Sequence, residues 1–382
     1  MRFLTAGESH GPSLVAILDG VPAGLVLEAA DIDRDLRRRQ GGYGRGGRQK
    51  IERDAVRLVG GVRQGRTTGA PVALRIDNRD AVNWERVMSA EPVAEPPAPV
   101  TRLRPGHADL AGALKHGLAD VRDVLERASA RETAARVAAG AVAKSLLRLV
   151  GIRVTSETVA IGDVSAEPGF DEDAVEASEV RCGDAARSRE MIAAIDAARQ
   201  AGDTLGGITA VRSTGMLPGL GSYAQWDRRL DGRVAQALCS IPSVKGISFG
   251  DAFVAARERG SAVHDPISVR GGAFTRGRNR AGGLEGGVTN GEDLVALVAL
   301  KPISTLMRPL GSADLRTGEA APAHVERSDI CVVPAAGVVA EAMLALVLAD
   351  ALCDKFGGDA VDALLAAVER YRARLGPLAT RP

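Results

Sequence analysis

Net charge is almost absent from this 382-residue chain: 49 basic residues stand against 48 acidic ones, for a balance of +1. No polyanionic partner is implied by the whole molecule, so any attraction for anions has to arise from local clusters. Cysteine is sparse. Cys182, Cys239, Cys331 and Cys353 lie far apart with no pair at metal-ligand spacing, which reads as reduced thiols in a cytoplasmic protein. No two of the five histidines have metal spacing either. The chain begins MRFLTAGESHG, which lacks the basic and then apolar regions of a secretory signal. Unbroken hydrophobic runs are missing too. The most apolar stretch, Val332 to Ala349, contains Pro334, Gly337 and Glu341 and reads as too interrupted to span a bilayer.

What is present is the composition of an ordinary globular protein, 45% hydrophobic and 25% charged. The length admits one large core or two domains. The best linker candidate is the Pro-rich stretch Glu91 to Pro99, but it is short and strand patterning resumes on both sides. It reads as a surface loop within a single domain, residues 1–382. Ala70 to Asp77 alternates, with Val72, Leu74 and Ile76 on one face of a half-buried strand. Ser13–Leu18, Val56–Val62, Ile152–Val164 and Gly207–Ser213 are similar but less regular. The 45 glycines make long helices scarce outside three regions. Ser129-Ala130-Arg131-Glu132 has the form of a capping box and opens a helix running to about Leu149. Ala134, Ala138, Ala141 and Ser145 give that helix a stripe of small residues for close packing. Val338–Lys355 and Asp359–Leu375 form the other two helices, separated by Gly357 and Gly358.

The segment Arg37 to Lys50, RRRQGGYGRGGRQK, is the most unusual: six basic residues, five glycines and no acid. Arginines on a glycine-rich backbone suit close approach to phosphate or carboxylate, and such a loop can move over a ligand. Its Gly42-x-Gly44-x-x-Gly47 spacing matches the dinucleotide fingerprint in letters only, since RRRQ is no buried strand and RQKIERD no close-packed helix start. Two histidines sit in polar, turn-like settings: His10 in Gly7-Glu8-Ser9-His10-Gly11, and His107 in Arg104-Pro105-Gly106-His107-Ala108-Asp109. Histidine titrates near neutrality and can hand a proton to a departing phosphate. Further glycine-rich and cationic segments are Asn279–Gly287, Lys301-Pro302-Ile303-Ser304-Thr305 and Arg327-Ser328-Asp329.

Taken in order, these segments resemble the chorismate synthase family. Three long blocks carry the resemblance: GESHGPSLVAILDGVPAG (Gly7–Gly24), ERASARETAARVAAGAVA (Glu126–Ala143) and RSDICVVPAAGVVAEAM (Arg327–Met343). RRRQGGYGRGGRQ, RPGHADLAG, NRAGGLEGG and KPIST match further family blocks, so the likeness covers essentially the whole chain. It implies an α+β fold, a β-α-β sandwich with helices between antiparallel sheets, assembled as a homotetramer. It also implies an anti-1,4-elimination of phosphate from 5-enolpyruvylshikimate 3-phosphate, requiring reduced FMN.

By the same resemblance His10 matches the proton donor to the leaving phosphate, and His107 the histidine beside the flavin. Asp329 matches the aspartate that helps flavin N5 take the ring proton. Arg39, Arg45 and Arg48 match the basic lid over substrate anions, with Ser9 and Arg131 as further substrate candidates. Arg39 and Arg45 also match NADP(H) positions, so NADPH or an external flavin reductase is the implied source of electrons. FMN positions fall on Arg127, Ala128, Ser129, Ser243, Gly286, Lys301, Pro302, Ile303, Ser304, Thr305 and Arg327. No metal, nucleic acid or membrane is implied. The segment Ile241 to Gly250 departs from the family: Pro242 removes a backbone donor where the family holds FMN, and Ser248 replaces a usual glutamate. Three rival functions are a flavin reductase or other net redox enzyme on the same FMN site, an RNA-binding protein acting through the arginine-glycine loop, and a catalytically dead homologue.

Overall fold

The computed structural model describes residues 1–47, 51–326 and 328–376. The alternating segments become two antiparallel sheets. The first contains β1 (Arg2–Ala6), β2 (Ser13–Asp19), β3 (Val56–Gly60) and β4 (Val72–Asp77), in the order β1-β2-β4-β3. The second contains β5 (Arg153–Ile161), β6 (Val164–Ser165), β7 (Gly207–Thr214), β8 (Val244–Phe249) and β9 (Leu294–Leu300), in the order β8-β9-β7-β5-β6. Each sheet is apolar on one face. On β2 the buried residues are Leu14, Ala16 and Leu18; on β4 they are Val72, Leu74 and Ile76, as the alternation predicts.

The longer helices are, in chain order, α1 (Ala29–Gln40), α2 (Asp109–His116), α3 (Thr133–Leu149), α4 (Ala185–Ala201), α5 (Leu230–Cys239), α6 (Val333–Phe356) and α7 (Val361–Arg374). α3 and α6 fill the space between the sheets. α3 packs on β2 and β4, α6 packs on β5 and β7, and the two helices pack on each other. One hydrophobic core therefore runs through both sheets and the helices between them. The small-residue stripe makes this possible. Ala134 and Ala138 are fully buried, and a Cβ on Gly140 would stand only 2.3 Å from the Cβ of Ala342.

Several expectations need correction. α6 is continuous, because Pro334 sits in its first turn, where no helical N–H is demanded of it. By length and composition α6 could cross a bilayer, with mean hydropathy 2.0 in its most apolar window, yet 83% of that window is buried inside the protein. It is a core helix. The capping box at Ser129 is only half formed. Ser129 Oγ accepts the Arg131 N–H at 3.3 Å, but Glu132 is turned away to Thr5 Oγ1 (2.6 Å) and Arg136 (2.8 Å). The first turn is accordingly a 3-10 turn, Ala130–Glu132, before α3 begins.

Long helices also occur outside the three expected regions. α4 was legible in hindsight: Ser188, Met191, Ile195 and Ala198 form its buried stripe, Asp184 caps its start, and left-handed Gly202 ends it. The Arg37-Arg38-Arg39-Gln40 run is the last turn of α1 rather than the start of a loop. Within that run Arg38 binds the carboxylates of Glu341, Asp35 and Glu176.

Candidate active site

The polar residues singled out by the sequence gather where the loops after β1, before α2 and before α3 meet the segment preceding α6. His10 follows β1. Its Nδ1 lies 3.0 Å from both oxygens of Glu126, whose side chain is 1% exposed. The imidazole stacks on Trp84, with centroids 3.9 Å apart and planes at 27°. Burial alone would raise the Glu126 carboxyl, but the hydrogen bonds and charge of His10, helped by Arg122, hold it below its ordinary range. An ionised carboxylate only accepts hydrogen bonds, so Nδ1 of His10 carries the hydrogen.

Ser9 is buried beside His10, and its Oγ accepts a hydrogen bond from Ser129 Oγ at 3.1 Å. Ser129 thus does two jobs, as a cap for the turn before α3 and as a polar contact to Ser9. Arg127, Ala128 and Ser129 line a cleft of about 440 Å³ together with Phe3, Glu132 and Pro242. Arg127 is anchored, donating to Thr5 O at 2.9 Å and Gly7 O at 3.1 Å.

His107 has the same kind of support. Its Nδ1 approaches Asp109 Oδ1 at 2.5 Å, and Arg104 donates to both oxygens of the same carboxylate, at 2.9 and 3.1 Å. Asp109 is fully buried. Burial would raise its pKa, yet the His107 and Arg104 hydrogen bonds and charges hold it well below the usual carboxylate range. Gly106 joins this loop to the Lys301–Thr305 segment, since Lys301 Nζ donates to Gly106 O at 2.6 Å and Arg104 donates to Thr305 Oγ1 at 3.3 Å. Partial burial and the neighbouring charge of Lys245 lower the Lys301 pKa, so an anion is favoured there. Ile303 O accepts from Thr204, and Ser304 and Pro302 complete the turn.

The third group is cationic. Arg39 is buried, donating to Thr133 Oγ1 at 2.9 Å and to Ala130 O at 2.8 Å. Burial first, then the charges of Arg131 and Arg45, push its pKa down to about 9, with Asp54 and Asp329 offsetting only part of that. Such a guanidinium is still charged at neutral pH and is electrostatically short of anions. Arg45 pairs with Asp329 at 3.2 Å, and its buried Nε has no hydrogen-bond partner among the described residues. Arg131 is committed internally, to Asn78 Oδ1 at 2.8 Å and Asp54 at 2.7 Å, which makes it a support for this cluster.

The glycine-rich segment is pinned rather than loose up to Gly46. The Ile330 N–H donates to Gly44 O at 2.7 Å and the Gly46 N–H to Asp329 Oδ1 at 2.6 Å. Arg48 and Arg327 lie outside the described residues. Gly286 stands apart from the rest. It sits at φ +61° with open space where a side chain would be, in a hairpin whose contacts run to Gly221, Leu230 and Arg276.

The departures from the family pattern prove benign locally. Ile241-Pro242-Ser243-Val244 is a tight turn closed by Val244 N–H to Ile241 O at 3.1 Å. Pro242 occupies the second position, which prolines favour, and Ser243 has φ +72° at the third. Ser243 O also accepts the Lys301 N–H at 2.9 Å, tying the turn to the cationic segment. Ser248 lies within β8, and its hydroxyl bonds Gly250 O at 3.4 Å. The sequence reading missed Glu126 and Trp84, and gave Arg104 and Asp109 no role. Each stands within or near a motif, but nothing in the linear pattern shows which partner it meets.

Residues 1–353 match the sequence model of the chorismate synthase family. The chain is 57% identical to the chorismate synthase of Rubrobacter xylanophilus, over 99% of this chain and 98% of that protein. It is 54% identical to that of Symbiobacterium thermophilum over the full length of both. A crystal structure of chorismate synthase superposes with a TM-score of 0.80 at 40% identity, covering 98% of each chain. With its fold, its two supported histidines and its full-length relatives all in agreement, the chain belongs to the chorismate synthase family.

Proposed function

We propose that the chain expels phosphate from 5-enolpyruvylshikimate 3-phosphate through proton transfers at His10 and Asp329, with His107 beside the cofactor and reduced FMN as that cofactor. The observation that carries this reading is the pair of histidines, each with Nδ1 tied to a buried carboxylate. The activity is that of a carbon–oxygen lyase of the shikimate pathway.

The residues fit both ligands. A substrate with one phosphate and two carboxylates needs several cations, and Arg39 with Arg45, whose Nε has no partner among the described residues, offers them at one place. For FMN, the cleft beside Arg127, Ala128 and Ser129 and the lysine pair Lys301 and Lys245 offer space and positive charge. Ser243, Pro302, Ile303, Ser304 and Thr305 stand alongside on the same segments, and Gly286 and Arg327 complete the proposed set. Reduced FMN supplies an electron-rich ring next to the substrate without net redox change. The remaining chemistry belongs to the chain. His10 Nε2 delivers a proton to the departing phosphate, whose second pKa of about 6 suits a histidine donor. Ser9 and Ser129 hold the loop that presents it. Asp329, paired with Arg45, assists removal of the proton that leaves the substrate ring.

A single domain, a homotetramer and a cytoplasmic location belong to the same reading, with the one continuous core supporting the first. NADPH at Arg39 and Arg45, or an external flavin reductase, supplies the electrons. The deciding experiment is anaerobic turnover with reduced or oxidised FMN, following phosphate and chorismate together. Equal amounts of both, only with reduced FMN and without its net oxidation, are expected. Steady consumption of reduced flavin would instead favour a redox enzyme.

A further inference from the structure

We infer that Glu126 is the positioning residue for His10, setting both the orientation and the tautomer of the ring. This rests on His10 being the proton donor, as proposed above. Glu126 grips the loop at three points. Its carboxylate receives the ring Nδ1 at 3.0 Å and the His10 main-chain N–H at 2.9 Å, and its own carbonyl receives the Ser9 N–H at 3.1 Å. Arg122 Nη1 in turn holds Glu126 Oε1 at 3.1 Å.

One edge of the imidazole is therefore tethered, and one face is covered. Trp84 lies on that face, itself fixed by Nε1 donating to Asp80 Oδ2 at 3.1 Å, and the Arg122 guanidinium lies 5.4 Å from the Trp84 ring centre. An untethered neutral imidazole divides its hydrogen between the two nitrogens. Here the acceptor-only carboxylate keeps a hydrogen on Nδ1, so Nε2 is the nitrogen that gives up its proton and later regains it. The ring returns to the same tautomer after each turnover, with no rotation needed. The orienting carboxylate is thus separated from the group that contacts the substrate.

The test compares E126Q, H10A and the double variant in the anaerobic chorismate assay, with kcat and KM measured separately. E126Q is expected to lower kcat at least about tenfold, as loss of an orienting carboxylate does elsewhere, while KM for the substrate changes less than about twofold. The double variant is expected to be no slower than H10A, because Glu126 acts only through His10. E126Q at full kcat, or losses that multiply in the double variant, would overturn the inference. Wild-type kcat in H10A would overturn the proton-donor assignment itself, and the inference with it. E126D, which draws the carboxylate back from the ring, supplies the same comparison if E126Q does not fold: its loss too must vanish in the H10A background.

Discussion

Asp329 holds the glycine-rich segment from two sides: one carboxylate oxygen takes the Gly46 N–H at 2.6 Å and the other faces Arg45 at 3.2 Å. This clamp brings a residue from just before α6 against a loop that follows α1, nearly three hundred positions earlier in the chain. It also leaves little room at Gly46, where a Cβ would meet Ser328 O at 3.1 Å.

The first prediction concerns that clamp. In D329N an amide oxygen can still accept the Gly46 N–H, but Arg45 loses its counter-charge and the carboxylate proposed to assist removal of the ring proton is gone. Chorismate formation is expected to fall by roughly 10²- to 10⁴-fold, with a nearly unchanged melting temperature. Full activity in D329N would remove Asp329 from the chemistry.

A second prediction concerns the most deeply buried charge. Glu341, in the middle of α6, is fully buried and meets Arg38 at 2.8 Å, Lys144 at 2.5 Å and Ser156 Oγ at 2.6 Å, with Arg181 at 3.4 Å. Burial opposes its charge, but Lys144, Arg38 and Arg181 together hold its pKa far below the ordinary 4.5. Replacing it by alanine removes the buried carboxylate that three cations share and should cost about 3–5 kcal/mol, read from denaturant unfolding.

The sign of the pH dependence follows from the same residue. A carboxylate with a depressed folded-state pKa stabilises fully above its unfolded value and loses that contribution as pH falls through the folded one. Asp109, Glu126, Glu176 and Glu326 are shifted the same way. The melting temperature should therefore hold above pH about 5 and drop progressively below about pH 4.5. E341Q should flatten that drop. An equally steep decline in E341Q would show that the acid sensitivity lies in the other carboxylates.

The helix–helix contact gives a third. G140A places a methyl 2.3 Å from Ala342 Cβ and 2.5 Å from its Cα, with backbone on one side that cannot rotate away. Overpacking of this kind is expected to cost about 1–3 kcal/mol or more. A2-fold or smaller change in the folding equilibrium would mean that α3 and α6 separate more easily than their packing indicates.

The last concerns the Pro242 turn. Ser243 holds φ +72°, a left-handed conformation that costs a non-glycine residue about 1–2 kcal/mol. S243G should keep the turn and raise stability by up to about 1 kcal/mol, after the entropy glycine gains in the unfolded chain is deducted. A lower melting temperature in S243G would show that the serine side chain itself contributes to the turn.

Periodicity in the sequence was enough to mark β2, β4, β5 and β7, the helix after Ser129 and the last two helices, because each has one apolar face and that face must be buried. Motif blocks were enough to single out His10, His107 and Asp329, since their local settings are polar and turn-like. Local pattern misread Arg37–Gln40 as the start of a loop, where the structure continues α1 and Arg38 meets Asp35 on the same helix and Glu176 and Glu341 on two other segments. It misread Pro334 as a break, because only the helix start shows that no N–H was needed there. Partnership was decided by the tertiary structure alone: Glu126 to His10, Arg45 to Asp329 and Ala342 to Gly140 are meetings across more than a hundred residues. A side chain's charge and shape are written in the chain, but its hydrogen-bond partner and its burial exist only once distant segments are packed together.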